Sequence, residues 1–227
     1  MLLTAGTILS GGPNVDDARA ETFVGRVPGS NAYIAIVKDG RKVGGYVCDN
    51  AGGSQWLEYT WLRDGRAPLR AGTGERVGSV RIAGRRATGT IRVRGRKRRF
   101  RATQIRRGRD AGLHFAIGKQ TNRLLVGGWI LHPDGTQRGA VSRVNMATLE
   151  RLETVRAPRL DPDASTIEIG GDTGVPPAEA EPQQLVVINI IAILIGLLLP
   201  AVQKEPSGQE EAVPAAAPAI YSGRSAR

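Results

Sequence analysis

Ten short runs rich in β-branched and aromatic residues follow one another from Glu21 onward: "TFVGRV", "AYIAIV", "KVGGYVC", "QWLEYTWL", "VGSVRIA", "TGTIRVR", "RFRATQI", "GLHFAI", "LLVGGWIL" and "RGAVSRV". Several alternate apolar with polar residues, the period of a half-buried strand. Asp39-Gly40, Asp64-Gly65 and Asp134-Gly135 each separate two such runs, and Asp-Gly suits the positive φ angles of tight hairpin turns. The connections are too short for helical crossovers, which excludes parallel pairing. Residues 21–156 are therefore expected to be a mainly β domain, an antiparallel meander of about ten strands. A meander that long has two open edges unless it closes on itself, so a small closed or nearly closed barrel is predicted. Gly44-Gly45, Gly52-Gly53 and Gly127-Gly128 are candidates for its bends and bulges, read alongside a plain turn or a packing need at each. "YIAIVKDGRKVGGYV" and "WILHPDGTQRGAV" share one layout, that of a repeated hairpin or simply of two Asp-Gly hairpins.

The flanks read differently. "MATLERLETV" spaces Met146, Leu149, Leu152 and Val155 three apart, which predicts a short helix packed on the barrel end. Proline, acidic and small residues dominate 157–184, the composition of a flexible linker. Leu185–Val202 is an uncharged stretch of 18 residues, 13 of them Leu, Ile or Val. As a helix it spans about 27 Å, close to the roughly 30 Å of a bilayer core, and its aliphatic residues favour insertion by about 4–8 kcal/mol. A C-terminal transmembrane helix is expected over 185–203, followed by a disordered tail over 204–227. Lys204 favours a cytoplasmic C-terminal side. Residues 1–20 read as a signal peptide or a disordered N-terminus: Leu2–Leu9 is apolar and Ala18-Arg19-Ala20 has the small-x-small form of a cleavage site, but no basic residue precedes the run and Asp16-Asp17 adjoins the site.

"VVINIIAILIGLLLPAVQK" resembles the prepilin-type helix of type IV pilins and type II secretion pseudopilins. In that family the helix follows a glycine cleavage point and begins with a phenylalanine, and a glutamate a few residues in pairs with the neighbouring subunit. Here Gln183 falls at the glutamate position and Ala178 and Glu179 near the cleavage point, with neither the glycine nor the phenylalanine present. The resemblance implies a pilin-like anchor that is not cut. The layout of "YVCDN" and "GGWILHPDGTQRGAVS" is similar to β-rich domains of uncharacterised bacterial exported proteins; that resemblance implies a barrel-like domain and no activity.

Residues 21–156 hold 27 Lys and Arg against 10 Asp and Glu, a net of +17, and the rest of the chain holds 5 against 11. A positive field of that size favours anionic partners, although only 5 of the 32 basic residues are lysine and GC-rich coding also enriches arginine. The charge peaks in "IRVRGRKRRFRATQIRRGR". Arg92, Arg94 and Arg96 alternate with Ile91, Val93 and Gly95, and Arg99, Arg101 and Thr103 alternate with Phe100, Ala102 and Gln104. One face of this hairpin is expected to be apolar and the other basic. Arg92, Arg94, Arg96, Lys97, Arg98, Arg99 and Arg101 are the candidate polyanion-binding residues, read alongside the alternative of a solvated outer face. No nucleic-acid motif accompanies them. Cys48 is the only cysteine and His114 and His132 the only histidines. GxSxG, HExxH and phosphate-loop motifs are missing, so no catalytic, cofactor or metal site is expected. The sequence points to a membrane-anchored, extracytoplasmic, non-enzymatic β-barrel binding or structural module with a basic face. The alternatives are a β-domain anchored on the cytoplasmic side that contacts nucleic acid or anionic lipid, and a barrel enzyme with a dispersed site.

Overall fold

The computed structural model describes residues 20–106, 110–148, 151–170 and 178–184. Eight strands, β1 (Glu21–Arg26), β2 (Tyr33–Asp39), β3 (Lys42–Cys48), β4 (Gln55–Trp61), β5 (Arg66–Arg70), β6 (Arg76–Ala83), β7 (Arg86–Val93) and β8 (Arg96–Gln104), form one antiparallel sheet in the order β4-β3-β2-β1-β8-β7-β6-β5. β8 returns to pair with β1. The two edges, β4 and β5, meet through a backbone bridge between Leu57 and Ala71. Beside it, Thr60 Oγ1 donates to the Pro68 carbonyl over 2.7 Å. The sheet is thus a nearly closed up-and-down barrel with its seam between β4 and β5. Asp64 and Gly65 turn that seam hairpin with φ of 49° and 68°, the geometry that suits Asp-Gly.

Inside the barrel, Phe23, Ile34, Ile36, Leu57, Leu69 and Ile91 are fully buried in one cluster. The tight curvature needs residues without side chains at some inward positions. A Cβ on Gly78 would lie 2.0 Å from the Thr90 carbonyl oxygen, and one on Gly89 1.9 Å from that of Ser79.

The strands β9 (Gly112–Lys119), β10 (Arg123–Leu131), β11 (Gln137–Asn145) and β12 (Arg151–Arg156) form a second sheet. After the β13 (Ile167–Ile169) and β14 (Ala178–Ala180) hairpin, the short β15 (Gln183–Gln184) joins its edge, in the order β12-β11-β10-β9-β15. This sheet covers the outside of β1–β4: Val24, Tyr33, Ala35, Tyr46 and Trp56 share a buried cluster with Leu113, Phe115, Val126 and Ile130. Strands β2 and β3 are accordingly buried on both faces, while β5–β8 alternate buried and exposed. On the far side of the second sheet, Trp129 lies flat over Gly127 and Gly139, where added Cβ atoms would come within 2.3 and 2.4 Å of its ring. Its Nε1 donates to the Pro158 carbonyl over 2.9 Å. Ala157, Leu160, Ile169 and Ala178 close over it.

Three expectations need correction. The β-rich stretch is an eight-stranded barrel plus a separate sheet, because β9 leaves the barrel and pairs with β10 and β15. The helix expected over Met146–Val155 gives way to β12 in its described second half. Pairing with β11 matches Val155 to Val141, Thr154 to Ser142 and Glu153 to Arg143, that is apolar to apolar, hydroxyl to hydroxyl and acid to base. Such cross-strand pairs stabilise a ladder, and a register shift between Arg143 and Val144 absorbs the spacing that read as helical. The linker expected over 157–184 is in part a packed cover, since Leu160, Ile169, Ala178 and Ala180 are buried. Buried Arg143 fastens it, pairing with Glu153 and donating from Nη2 to the Gly170 carbonyl over 2.8 Å. Among the glycine pairs, Gly44-Gly45 does sit at a register shift in the β3–β4 pairing. Gly127-Gly128 instead makes room for rings, those of Trp129 on one face and of Tyr46 and Trp56 on the other. Among the described residues no helix is long and apolar enough to cross a membrane. Leu185–Val202, the tail over 204–227 and residues 1–19 lie outside the described residues.

Candidate anion-binding wall

The second sheet covers β1–β4 and leaves the outer face of β5–β8 to solvent. Residues Arg66 to Gln104 hold 13 Lys and Arg and one acid, Glu75. Strand alternation turns the apolar half of these residues into the barrel: Ala67, Leu69, Val80, Ala87, Ile91, Phe100 and Ala102 are buried there. The intervening residues face outward, and register decides which of them meet. Arg66 lies opposite Arg81, Arg81 opposite Thr88, Thr88 opposite Arg101, and Arg101 opposite Arg26. Four arginines and one threonine thus form a single row across five strands. At about 4.8 Å per strand the row runs roughly 19 Å around the wall. A parallel row sets Pro68, Ser79, Thr90 and Arg99 side by side, and beyond it Arg92 lies opposite Lys97. The Ser79 and Thr90 hydroxyls are 3.4 Å apart. An open groove of about 510 Å³ follows the first row, lined by Arg63, Arg66, Arg76, Ser79, Arg81 and Thr88.

Like charges placed directly opposite destabilise a strand pair, and the wall has four such pairs: Arg66–Arg81, Arg70–Arg76, Arg101–Arg26 and Arg92–Lys97. Two of their members have acidic partners. Arg26 Nη2 is 2.6 Å from Asp134 Oδ2, and Arg92 Nη1 is 2.5 Å from Glu75 Oε1. Among the described residues, Arg63, Arg66, Arg81, Lys97, Arg99 and Arg101 have no carboxylate within 4.0 Å. Apart from Arg26 and Arg92, the wall presents basic donors with interleaved hydroxyls and, among the described residues, no acid to satisfy them. Guanidinium forks match phosphate, sulfate and carboxylate oxygens bidentately.

The residues singled out in the sequence divide into three groups. Arg92, Lys97, Arg99 and Arg101 lie on the outer face. Arg94 occupies the β7–β8 turn with φ of 47°, and its Nε donates to Asp49 Oδ2 over 2.5 Å. Arg96 and Arg98 lie opposite Val93 and Ile91, on the inward-facing register at the barrel's end. Arg98 bends over the β1–β2 turn there, where a Cβ on Gly29 would come within 2.9 Å of its Nη1. The alternation read along the hairpin breaks at this turn, because the two-residue loop resets which parity faces out. Arg66 and Arg81 were missed. Each alternates with buried residues in the sequence, but only the pairing register sets them side by side.

Cys48 and His114 are built into the core, and His132 and Asp134 lie at the β10–β11 turn. Burial pushes the Cys48 thiol up to about 11, so it is protonated and unreactive at neutral pH. Burial pushes His114 below its ordinary value. Its Nε2 carries the hydrogen, donated to the Asp110 carbonyl over 3.0 Å. His132 Nδ1 lies 3.1 Å from Asp134 Oδ1. Hydrogen bonds from the Thr136 hydroxyl and amide hold the Asp134 carboxyl well below the usual carboxylate range. Among the described residues no three His, Cys, Asp or Glu side chains converge as metal ligands. Comparison of the chain with protein-family models finds no matching family, and comparison with curated proteins finds no significant match.

Proposed function

We propose that the barrel is a non-enzymatic binding module that holds a polyanion along its uncovered wall. The observation that carries the reading is the row Arg66–Arg81–Thr88–Arg101–Arg26, in which like charges face one another and three of the four arginines lack an acidic partner among the described residues. An extended polyanion relieves the repulsion and satisfies the donors together. The row has no aromatic stacking platform, so contacts go to a phosphate or sulfate backbone and carry no base information. In the same proposal the chain is attached to a membrane through Leu185–Val202 and works in the cell envelope, on the exported side. The support is the length and apolar character of that segment and the small-x-small site before Glu21.

The test is retention of the full chain, held in neutral detergent, on immobilised heparin and on double-stranded DNA. Binding should weaken steeply with salt through counterion release, by a slope of about 0.9 per neutralised DNA phosphate. Retention should not depend on DNA sequence. Arg66→Gln combined with Arg81→Gln should lower the salt slope by about one to two. The same pair should raise thermal stability by about 0.2–1 kcal/mol, because a facing like-charge pair is removed. Unchanged retention by this variant would show that the wall is a solvated face and nothing more.

A further inference from the structure

A second site lies where the barrel, the tip of the β10–β11 hairpin and the β8–β9 connection meet. It is an open cleft of about 750 Å³, within the size range of small-ligand sites. Its chemistry differs from that of the wall. One side is apolar: Val24 and Ala111 are buried, and Ile105 packs half-buried against the same cluster, with Pro133 at the lip. The other side presents Arg85, Arg101 and Arg106, none of which has a carboxylate within 4.0 Å among the described residues. Arg85 is held at the cleft by its own carbonyl, which accepts from the Gln104 amide over 2.9 Å. The cleft also adjoins the last described strand: Gln184 Nε2 donates to the Ala111 carbonyl over 3.1 Å, and the sequence runs from Gln184 directly into Leu185–Val202.

We infer that this cleft binds one anionic phospholipid, its phosphate on Arg85, Arg101 and Arg106 and the start of an acyl chain on Val24, Ile105 and Ala111. A polyanion has no use for the apolar side, and a neutral lipid has none for three guanidinium groups without a carboxylate partner among the described residues. The inference is independent of the polyanion wall, with which the cleft shares only Arg26 and Arg101. It rests on the proposed membrane attachment only for the supply of lipid.

The test is native mass spectrometry of the full chain from neutral maltoside micelles doped equally with phosphatidylglycerol and phosphatidylcholine. One phosphatidylglycerol per chain should be retained, in at least tenfold excess over phosphatidylcholine. Arg85→Gln combined with Arg106→Gln should lower that adduct to the phosphatidylcholine level, and Ile105→Asn should reduce it severalfold. Arg66→Gln combined with Arg81→Gln should leave it unchanged. Glycerol phosphate, the headgroup without chains, should fail to displace the lipid at equal concentration. Equal retention of the two lipids, displacement by glycerol phosphate, or an adduct indifferent to the Arg85 and Arg106 changes would each overturn the inference. Heparin retention of the same variants keeps the two sites apart: loss of retention with the wall variant alone leaves the cleft standing, and failure of the cleft leaves the wall standing.

Discussion

His114 shows how a single side chain ties this fold to pH. It is 6% exposed on β9 and donates to the Asp110 carbonyl, just before the strand. A neutral imidazole suits that place, and burial lowers its affinity for a proton below the ordinary value of 6.5. The unfolded chain therefore binds more protons than the folded one in the window from about pH 6.5 down to the folded value. Stability is fully present above that window and falls as the pH falls through it, since ∂ΔG/∂pH is positive wherever the unfolded state holds the extra proton. Urea midpoints of the parent should drop between pH 7 and pH 5. In His114→Gln, whose amide can donate to the same carbonyl and never titrates, that part of the decline should be lost. Parallel profiles for the two proteins would mean that His114 is not held neutral in the fold. Cys48 is the static counterpart: buried, protonated and accepting a long contact of 3.4 Å from the Asn50 amide, it fills space.

At the scale of elements, the cover over Trp129 is the least expected part of the fold. Residues 157–170 and 178–184 supply the side chains that keep Trp129, Leu125 and Val141 dry. A chain ended after Gln184 should therefore stay folded and soluble. One ended after Arg156 should lose several kcal/mol, because removing the cover exposes a fully buried tryptophan worth about 3–5 kcal/mol when truncated. Comparison of the two by circular dichroism and thermal melting checks this; equal melting temperatures would show the cover to be dispensable. The same region shows what the sequence could disclose. The runs around β1–β4 and β6–β11 are legible because β-branched and aromatic residues alternate between turn signals. β5, "RAPLR", was missed because Pro68 demotes it, and it lies at the seam, where fewer ladder bonds are required. The cover was missed because its buried residues are few, scattered among prolines and acids, and match no period. β12 was misread because spacing by threes in "MATLERLETV" mimics a helix, whereas its partners lie on β11 and only pairing reveals them. The basic hairpin was legible as charge, but its division into outer, turn and inward arginines followed from the turn. One clue to the covered wall was in plain view: "YIAIV" is apolar without interruption, as a strand buried on both faces must be.

At the scale of the described residues together, the barrel has two unlike halves, one covered by the second sheet and one not, and the difference should appear in how it opens. β1–β4 lie between the barrel interior and the second sheet, so their backbone bonds are shielded on both faces. β5–β8 have apolar support on the inside alone and carry the facing arginines outside. The weakest line is the seam, where two isolated bridges, Leu57–Ala71 and Arg63–Arg66 at the turn, and the Thr60 hydroxyl stand in for a full ladder. Local openings follow the fewest buried contacts and the least shielded bonds. Amide hydrogen exchange of the full chain should therefore be slowest in β2, β3 and β10 and fastest, among barrel strands, in β5. Adding heparin should slow exchange in β5–β8, because a ligand that bridges these strands on the outside must be released before they part, and it should leave β2, β3 and β10 unchanged. Protection that is uniform around the barrel would show that the seam is as strong as the other pairings. Slowing centred on β1–β4 instead would place the polyanion on a face that the second sheet already occupies, and the two-sided reading of the barrel would fail with it.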